Sequence, residues 1–289
     1  MRNKLYKRNY PCGDTTLKLG ERTLIMGILN VTPDSFSDGG RYNDVDRAVR
    51  HAIQMIEQGA DLIDLGGEST RPGHKQVSEQ EELERVIPVV EALHREIPHI
   101  PLSVDSYKAM VARESLKAGA HIINDIWGFK GDRQMAGVAA EFGCPVILMH
   151  NRHDRNYKDL LKDVADDLME CIRIAREAGV RDEQIILDPG IGFAKDYNEN
   201  LQVMKSLDQL MELGFPMLLG TSRKKFIRTA LDLEADEVVL GTAATVAFGI
   251  AQGCQIVRVH DVKEIKRTVQ MCDAILYAPS TSQGDINYG

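Results

Sequence analysis

Residues 101–126 read PLSVDSYKAMVARESLKAGAHIINDI, and the fold turns on this stretch. Two short apolar runs, Pro101–Ser106 and His121–Ile126, end in polar residues: Asp105 in the first, Asn124 and Asp125 in the second. Between them Lys108–Lys117 has helical spacing and stops at Gly119, the usual residue just past a helix end. A short run rich in Ile, Leu and Val and bounded by Gly or Pro is how a strand buried on both faces reads. Strand, helix and strand in succession imply parallel pairing. The unit recurs. Thr23–Thr32 carries Asn30, Ala60–Gly67 carries Asp64 and leads to Glu68, and Pro145–His150 ends in His150. Ile185–Gly192 carries Asp188, Pro216–Ser222 ends in Ser222 and leads to Lys224, and Ile256–Asp261 carries Arg258 and His260. Eight such units predict an α/β chain closed into a single-domain (β/α)8 TIM barrel, whose chemistry sits at the C-terminal strand ends.

Helices are expected at Val45–Gln58, Glu79–Glu96, Lys108–Lys117, Arg133–Glu141, Tyr157–Glu177, Asn200–Glu212, Asp236–Gln252 and Val262–Ala274. Many of them stop at Gly: Gly59, Gly119, Gly143, Gly179, Gly214 and Gly253. Ahead of the barrel, Thr15–Leu19 and Glu21–Met26 flank Gly20, which reads as an N-terminal β-hairpin over the barrel's N-terminal end. The folded domain is expected over 1–277, with the barrel from about residue 23. Ala278–Gly289, poor in apolar residues, reads as a disordered tail. Two connections are longer than the rest, Val31–Asn43 and Gly66–Ser78, and both follow strand C-termini. Rich in Gly, Ser, Asp and Pro, they read as segments that close over a ligand.

With 289 residues, 43% of them hydrophobic and 27% charged, the chain has the make-up of a soluble globular protein. A net charge of −8 argues against general affinity for nucleic acid or an anionic membrane. A local basic pocket for an anionic substrate stays compatible with it. The five cysteines, Cys12, Cys144, Cys171, Cys254 and Cys272, are scattered and lack metal-ligand spacing, so a reduced, cytoplasmic chain is expected. The basic start leads into no apolar stretch, so no secretory signal is expected, and nothing approaches the roughly 20 apolar residues of a membrane span.

The motifs carry a resemblance. GILNVTPDSFSDG at 27–39 and DLGGESTRPG at 64–73 look like the paired signatures of the dihydropteroate synthase family. SVDS at 103–106, IND at 123–125, LDPGIGF at 187–193, GTSRK at 220–224 and RVH at 258–260 follow in family order. One DPG or SRK alone would be weak; these segments in order, at barrel-strand spacing, are specific. The resemblance implies a (β/α)8 barrel that displaces diphosphate from 6-hydroxymethyl-7,8-dihydropterin diphosphate with 4-aminobenzoate, giving 7,8-dihydropteroate.

By that resemblance Asp105, Asn124, Asp188 and Lys224 hold the pterin. The chemistry fits: a carboxylate takes two parallel N–H bonds, an Asn offers a donor and an acceptor, and a Lys donates to the ring carbonyl. Met149, Ile126 and Phe193 would border the ring, and Val259 would be among the residues that bind the pterin diphosphate. Arg258 and His260, alternating on one strand, would grip the diphosphate, an Arg fork suiting phosphoryl oxygens. Asn30 would meet Mg²⁺, the expected cofactor, which takes substrate oxygens besides. Thr70, Arg71, Pro72, Phe193 and Ser222 would receive 4-aminobenzoate, where sulfonamide inhibitors compete, and Thr70 would also touch the pterin diphosphate. Asp34 would help organise the metal or a cation. The same residues have plainer readings: Asp188 before Pro189-Gly190 caps turns, Asp105-Ser106 caps helices, and Asp125 is taken as structural.

No Ser-His-Asp or paired-Glu arrangement is needed, because an aniline nitrogen is already nucleophilic. The expected course is dissociative: the C–O bond breaks ahead of attack, leaving a methylene cation that the pterin ring spreads and Asp105 faces. Catalytic weight therefore falls on Asp105, Lys224, Arg258, His260 and Asp34. Two other readings share the fold. A pterin-binding corrinoid methyltransferase would lack the STRPG and SRK segments, and a non-catalytic relative would have lost Asn30, Asp105, Lys224 or Arg258. The apolar helix at 236–252 suggests a homodimer if its face is exposed, as the resemblance also does.

Overall fold

Alternation along the strands sets the architecture: in every barrel strand one residue set faces the lumen and the next faces a shell of helices. The computed structural model describes residues 6–32, 40–68 and 76–277, residues 40–43 by backbone alone. Two antiparallel strands come first, β1 (Arg8–Cys12) and β2 (Thr15–Leu19). The barrel then runs β3 (Leu24–Asn30), α1 (Gly40–Glu57), β4 (Leu62–Gly66), α2 (Glu79–Glu96), β5 (Leu102–Asp105) and α3 (Ala109–Ala118). It continues β6 (Ile122–Asp125), α4 (Met135–Phe142), β7 (Val146–Met149), α5 (Leu160–Glu177), β8 (Ile185–Asp188), α6 (Tyr197–Lys205) and α7 (Leu207–Leu210). It ends β9 (Leu218–Leu219), α8 (Lys225–Leu231), α9 (Val239–Ala251), β10 (Ile256–Val259) and α10 (Val262–Leu276).

The eight barrel strands pair in parallel in the order β8-β7-β6-β5-β4-β3-β10-β9. The cylinder closes between β8 and β9 through one isolated bridge, Leu187 to Met217, backed by the Leu187 N–H donating to the Pro216 carbonyl at 2.9 Å. The expected (β/α)8 barrel is therefore what the chain forms, with each expected apolar run supplying one strand. All six glycines expected to stop helices lie at positive φ, from 64° at Gly143 to 114° at Gly119.

The lumen is layered. Met26, Leu62, Ile122, Ile147, Ile186, Leu218 and Ile256 form its N-terminal layer, and Tyr10, Cys12, Leu17 and Leu19 of the hairpin pack onto it. The hairpin thus plugs the N-terminal end, as expected, but its pairing differs from the reading above. Thr15–Leu19 pairs with Arg8–Cys12 around Gly13, and Glu21–Met26 instead leads into the barrel. Gly20, at φ 94°, lies where the chain crosses its own start; a Cβ there would meet the Tyr6 carbonyl at 2.8 Å.

The helices depart from expectation too, most of all at three places. α1 begins at Gly40, inside the stretch read as loop. The helix expected over Asn200–Glu212 starts at Tyr197 under an Asp196 capping box and breaks at Ser206 into α6 and α7. α8, right after the GTSRK segment, had no expectation at all. Among the described residues no helix is long and apolar enough to cross a membrane. The segment 278–289 lies outside the described residues, so the expectation of a disordered tail is not addressed.

Candidate active site

One step along each strand from the apolar layer, two residues toward the C-terminal end, the lumen turns polar. Leu62 is followed by Asp64, Ile122 by Asn124, Ile186 by Asp188 and Ile256 by Arg258; on β5 the pair is Ser103 and Asp105, polar at both levels, and on β7 it is Ile147 and Met149, apolar at both. Leu218 is followed by Gly220, where the missing side chain leaves room: a Cβ would lie 3.9 Å from both Arg258 Cβ and Asp188 Oδ2. The period of two therefore assembles the site from seven strands without any unusual backbone.

At its centre Arg258 donates from Nε to Asp64 Oδ2 at 2.6 Å and from an Nη to Asp105 Oδ2 at 2.7 Å. Asn124 Nδ2 donates to the same Asp64 oxygen at 3.0 Å. Asp64 is 0% exposed, and the remaining Oδ1 atoms of Asp64 and Asp105 are buried without a hydrogen-bond partner. Burial pushes the Asp105 carboxyl up to about 7, with Arg258 opposing and Asp64 reinforcing. Burial works against the Arg258 charge as well, yet Asp64 and Asp105 together hold its pKa above the ordinary arginine value. The fork expected to grip an anion is thus engaged by two carboxylates, leaving its other Nη for a further acceptor.

The second cluster lies at β8 and β9. Asp188 Oδ1 accepts the Gly190 N–H at 2.7 Å, so the turn-capping reading holds for one oxygen while Oδ2 faces the lumen beside Gly220. Burial raises the Asp188 pKa, against the pull of Lys224 and the Gly190 N–H. The Lys224 ammonium donates to the Ile191 carbonyl and lies 4.6 Å from the centre of the Phe193 ring. Burial brings Lys224 down to about 8, Asp188 resisting and Arg258 assisting. Gly192, at φ 85°, is required here, because a Cβ would fall 2.7 Å from Lys224 Cδ.

Ser222 and His260 touch: the hydroxyl lies 3.0 Å from His260 Nδ1 and accepts the His260 N–H at 3.2 Å. Asn30 Oδ1 and the Asp105 carboxylate face one another across Gly66, where a Cβ would be 3.9 and 3.8 Å from Asn30 Oδ1 and Asp105 Oδ2. Met149 is buried, at the register position paired with Asp188.

Most of the expected residues are therefore brought to one mouth, with two qualifications. Val259, expected beside the pterin, turns its side chain outward into the helix-facing core, because it immediately follows the inward Arg258. Asp34, Thr70, Arg71 and Pro72 lie outside the described residues. Neither Asp105 nor Ser106 caps α3: the Ser106 hydroxyl accepts the Lys108 N–H at 3.2 Å, ahead of the helix, and the first helical N–H, that of Ala109, goes to Asp132 at 2.9 Å. Asp125 is structural as expected, accepting the N–H groups of Trp127 and Phe129, both at 2.8 Å.

In the sequence reading Asp64 is only a polar strand residue. The phase of its strand, Leu62-x-Asp64-x-Gly66, was the signal that would have aimed it inward. Among the described residues no cluster of three or more His, Cys, Asp or Glu is arranged to hold a metal.

Against known proteins, the pterin binding enzyme family matches residues 26–260. The chain is 58% identical over 275 residues to the dihydropteroate synthase of Bacillus subtilis (strain 168), covering 95% of this chain and 94% of that protein. Among solved structures it is similar to a Clostridium difficile dihydropteroate synthase crystallised with pteroic acid, with a TM-score of 0.87 and 51% identity over 89% of this chain and 97% of that one. The Yersinia pestis dihydropteroate synthase in a sulfonamide drug complex gives a TM-score of 0.86 and 43% identity, over 94% of this chain and 100% of that one.

Proposed function

Since the chain belongs to the dihydropteroate synthases of the pterin-binding enzyme family, we propose that the polar layer at its barrel mouth divides the reaction's tasks among the residues just described. The enzyme is a transferase of folate synthesis, condensing the dihydropterin methyl diphosphate with 4-aminobenzoate. A bond from methylene carbon to nitrogen forms, the bond from carbon to the diphosphate oxygen breaks, and the aniline loses one proton.

Asp188 and Asn124 take the amino-pyrimidinone edge of the pterin. Asp188 has an oxygen left after capping its turn, and Asn124 keeps its carbonyl and one N–H after bonding Asp64. Lys224 donates to the ring carbonyl, and Met149 and Phe193 border the ring. The diphosphate lies toward Arg258 and His260. Ser222, beside His260, serves the carboxylate of 4-aminobenzoate, together with Thr70, Arg71 and Pro72 of the neighbouring loop, and a sulfonamide occupies the same place.

The observation that carries this reading is the pair of buried, unpartnered carboxylate oxygens on Asp64 and Asp105. Such an atom costs about 1–3 kcal/mol unless something positive or hydrogen-donating meets it. A methylene cation, formed as the C–O bond breaks ahead of attack, is such a partner for Asp105. The neutral oxygen of Asn30 and the carboxylate of Asp105, hard donors on either side of Gly66, also suit Mg²⁺. Asp34 would assist there. When bound, Mg²⁺ would neutralise charge on the departing diphosphate.

Exposed apolar side chains run along the adjacent α9 and α10. Leu240 is 80% exposed, Ile275 65% and Met271 61%, with Phe248 beside them. Large apolar side chains left so exposed on two adjacent helices support a homodimer closed over α9 and α10. The free cysteines, four of them buried, suit a reducing cytoplasm.

Purified protein is expected to release diphosphate only when given the pterin diphosphate, and faster with 4-aminobenzoate and Mg²⁺; release without pterin, or none at all, sinks the reading. Isotope effects at the methylene carbon should report little bond formation to nitrogen in the transition state, and a strong concurrent signal would refute the dissociative course. Asp105 must be ionised to face a cation, so kcat/KM should fall as pH drops through about 7. Lys224 must be protonated to donate, so it should fall again as pH rises through about 8. A flat profile between about pH 6 and 9 contradicts both roles. Light scattering should give twice the 32.2 kDa chain mass, and Leu240→Glu with Ile275→Glu should halve it; a wild-type monomer at micromolar concentration excludes the dimer.

A further inference from the structure

Behind the barrel wall lies a second lysine with no part in the reaction as derived so far. Lys195 is 8% exposed, and its Nζ lies within reach of four acceptors, one more than its three N–H groups serve at once: His150 Nδ1 at 2.8 Å, the carbonyls of Pro189 and Gly190 at 3.0 Å, and that of Phe193 at 3.2 Å. All three carbonyls belong to the turn that leaves Asp188. That turn is left-handed at three positions: Gly190 at φ 66° and Gly192 at 85°, which glycine adopts freely, and Ala194 at 47°, whose Cβ makes the conformation costly. A strained residue of that kind persists only where the surroundings over-determine it. Here Tyr157 Oη donates to the Ala194 carbonyl at 2.9 Å, and Asn200 Oδ1 accepts the Gly192 N–H at 2.6 Å.

The other side of the same turn makes the pterin pocket. Ile191 offers its carbonyl to Lys224, Phe193 lies under the Lys224 ammonium, and Gly192 presses against its stem. Two lysines therefore hold one turn from opposite faces, one from the site and one from behind. Lys195 is itself anchored. His150 accepts from it at Nδ1 and donates from Nε2 to Asp167 Oδ2 at 3.0 Å, and Arg152 holds that carboxylate at 2.5 Å. This pattern requires a neutral imidazole, and burial keeps it neutral by pushing the His150 pKa down to about 4.

We infer that Lys195 is a positioning residue for the pterin subsite: by gathering the Pro189, Gly190 and Phe193 carbonyls it fixes the Phe193 ring, the Ile191 carbonyl and hence the Lys224 ammonium. An apolar side chain could fill the volume but could not satisfy three carbonyls converging on one point. Their repulsion would open the turn toward the lumen and displace the groups on its inner face. The inference rests on the pterin-pocket reading above.

The test is calorimetric titration with 6-hydroxymethylpterin, the unreactive head group of the substrate, well below the melting temperature. Lys195→Met is compared with wild type, with Asp188→Asn, and with Val90→Ala, a core truncation on α2 in a separate hydrophobic cluster from the turn. Lys195→Met is expected to weaken pterin binding about tenfold or more, as loss of an orienting outer contact does, while Val90→Ala lowers the melting temperature without changing affinity. Wild-type affinity in Lys195→Met alongside a loss in Asp188→Asn overturns the role of Lys195 and leaves the pocket standing. Wild-type affinity in Asp188→Asn removes the pocket reading, and this inference falls with it. If Lys195→Met does not fold, Tyr157→Phe, which removes one bond to the same turn, should weaken binding about threefold; unchanged affinity in that variant overturns the inference.

Discussion

The mouth of this barrel is organised around one buried guanidinium. Arg258 reaches from β10 over β3 to carboxylates on β4 and β5, so three strands are tied by a single side chain. Taking these charges out of water costs several kcal/mol per ion, and their attraction offsets that only where geometry is good and the remaining lone pairs are met. Two carboxylate oxygens here are not met. The network is thus incomplete in the protein alone, and that incompleteness suits a site whose ligand brings positive charge and hydrogen-bond donors.

This constraint explains why the polar residues lie where they do. A strand offers the lumen one side chain in two, so a polar layer must sit one step above an apolar one, and the step from Ile186 to Asp188 or from Ile256 to Arg258 is that interval. The apolar layer, closed below by the hairpin, keeps water from reaching the ion network from the far end. In the low-dielectric setting that results, Lys224 and Asp105 titrate near neutrality rather than at their ordinary values.

Much of this was legible in the amino-acid order, and the exceptions have physical causes. Strands buried on both faces announce themselves as apolar runs, and their polar ends gave Asp105, Asn124, Asp188 and Arg258. Facing direction was legible too, but only if the alternation was followed strictly: it turns Asp64 inward and Val259 outward. β1 was missed because Arg-Asn-Tyr-Pro-Cys buries only Tyr10 and Cys12 and carries a Pro, which suits an edge strand and little else. α8 was missed because its seven residues are too few to establish a period. Lys195 left no signal, since a lysine surrounded by carbonyls from a later fold is indistinguishable in sequence from one in water.

The barrel's closure has a consequence of its own. Seven of the eight strand junctions are continuous ladders, whereas β8 meets β9 at one rung, and β9 is two residues long. Thermal breathing of a cylinder concentrates at its least-bonded stave. Asp188 leads off one side of that gap and Lys224 follows the other. A flat heterocycle bonded to both, as proposed above, would act as a rivet across the slit, so occupancy by the pterin would tighten the whole wall, and the emptied enzyme would be the one that gapes.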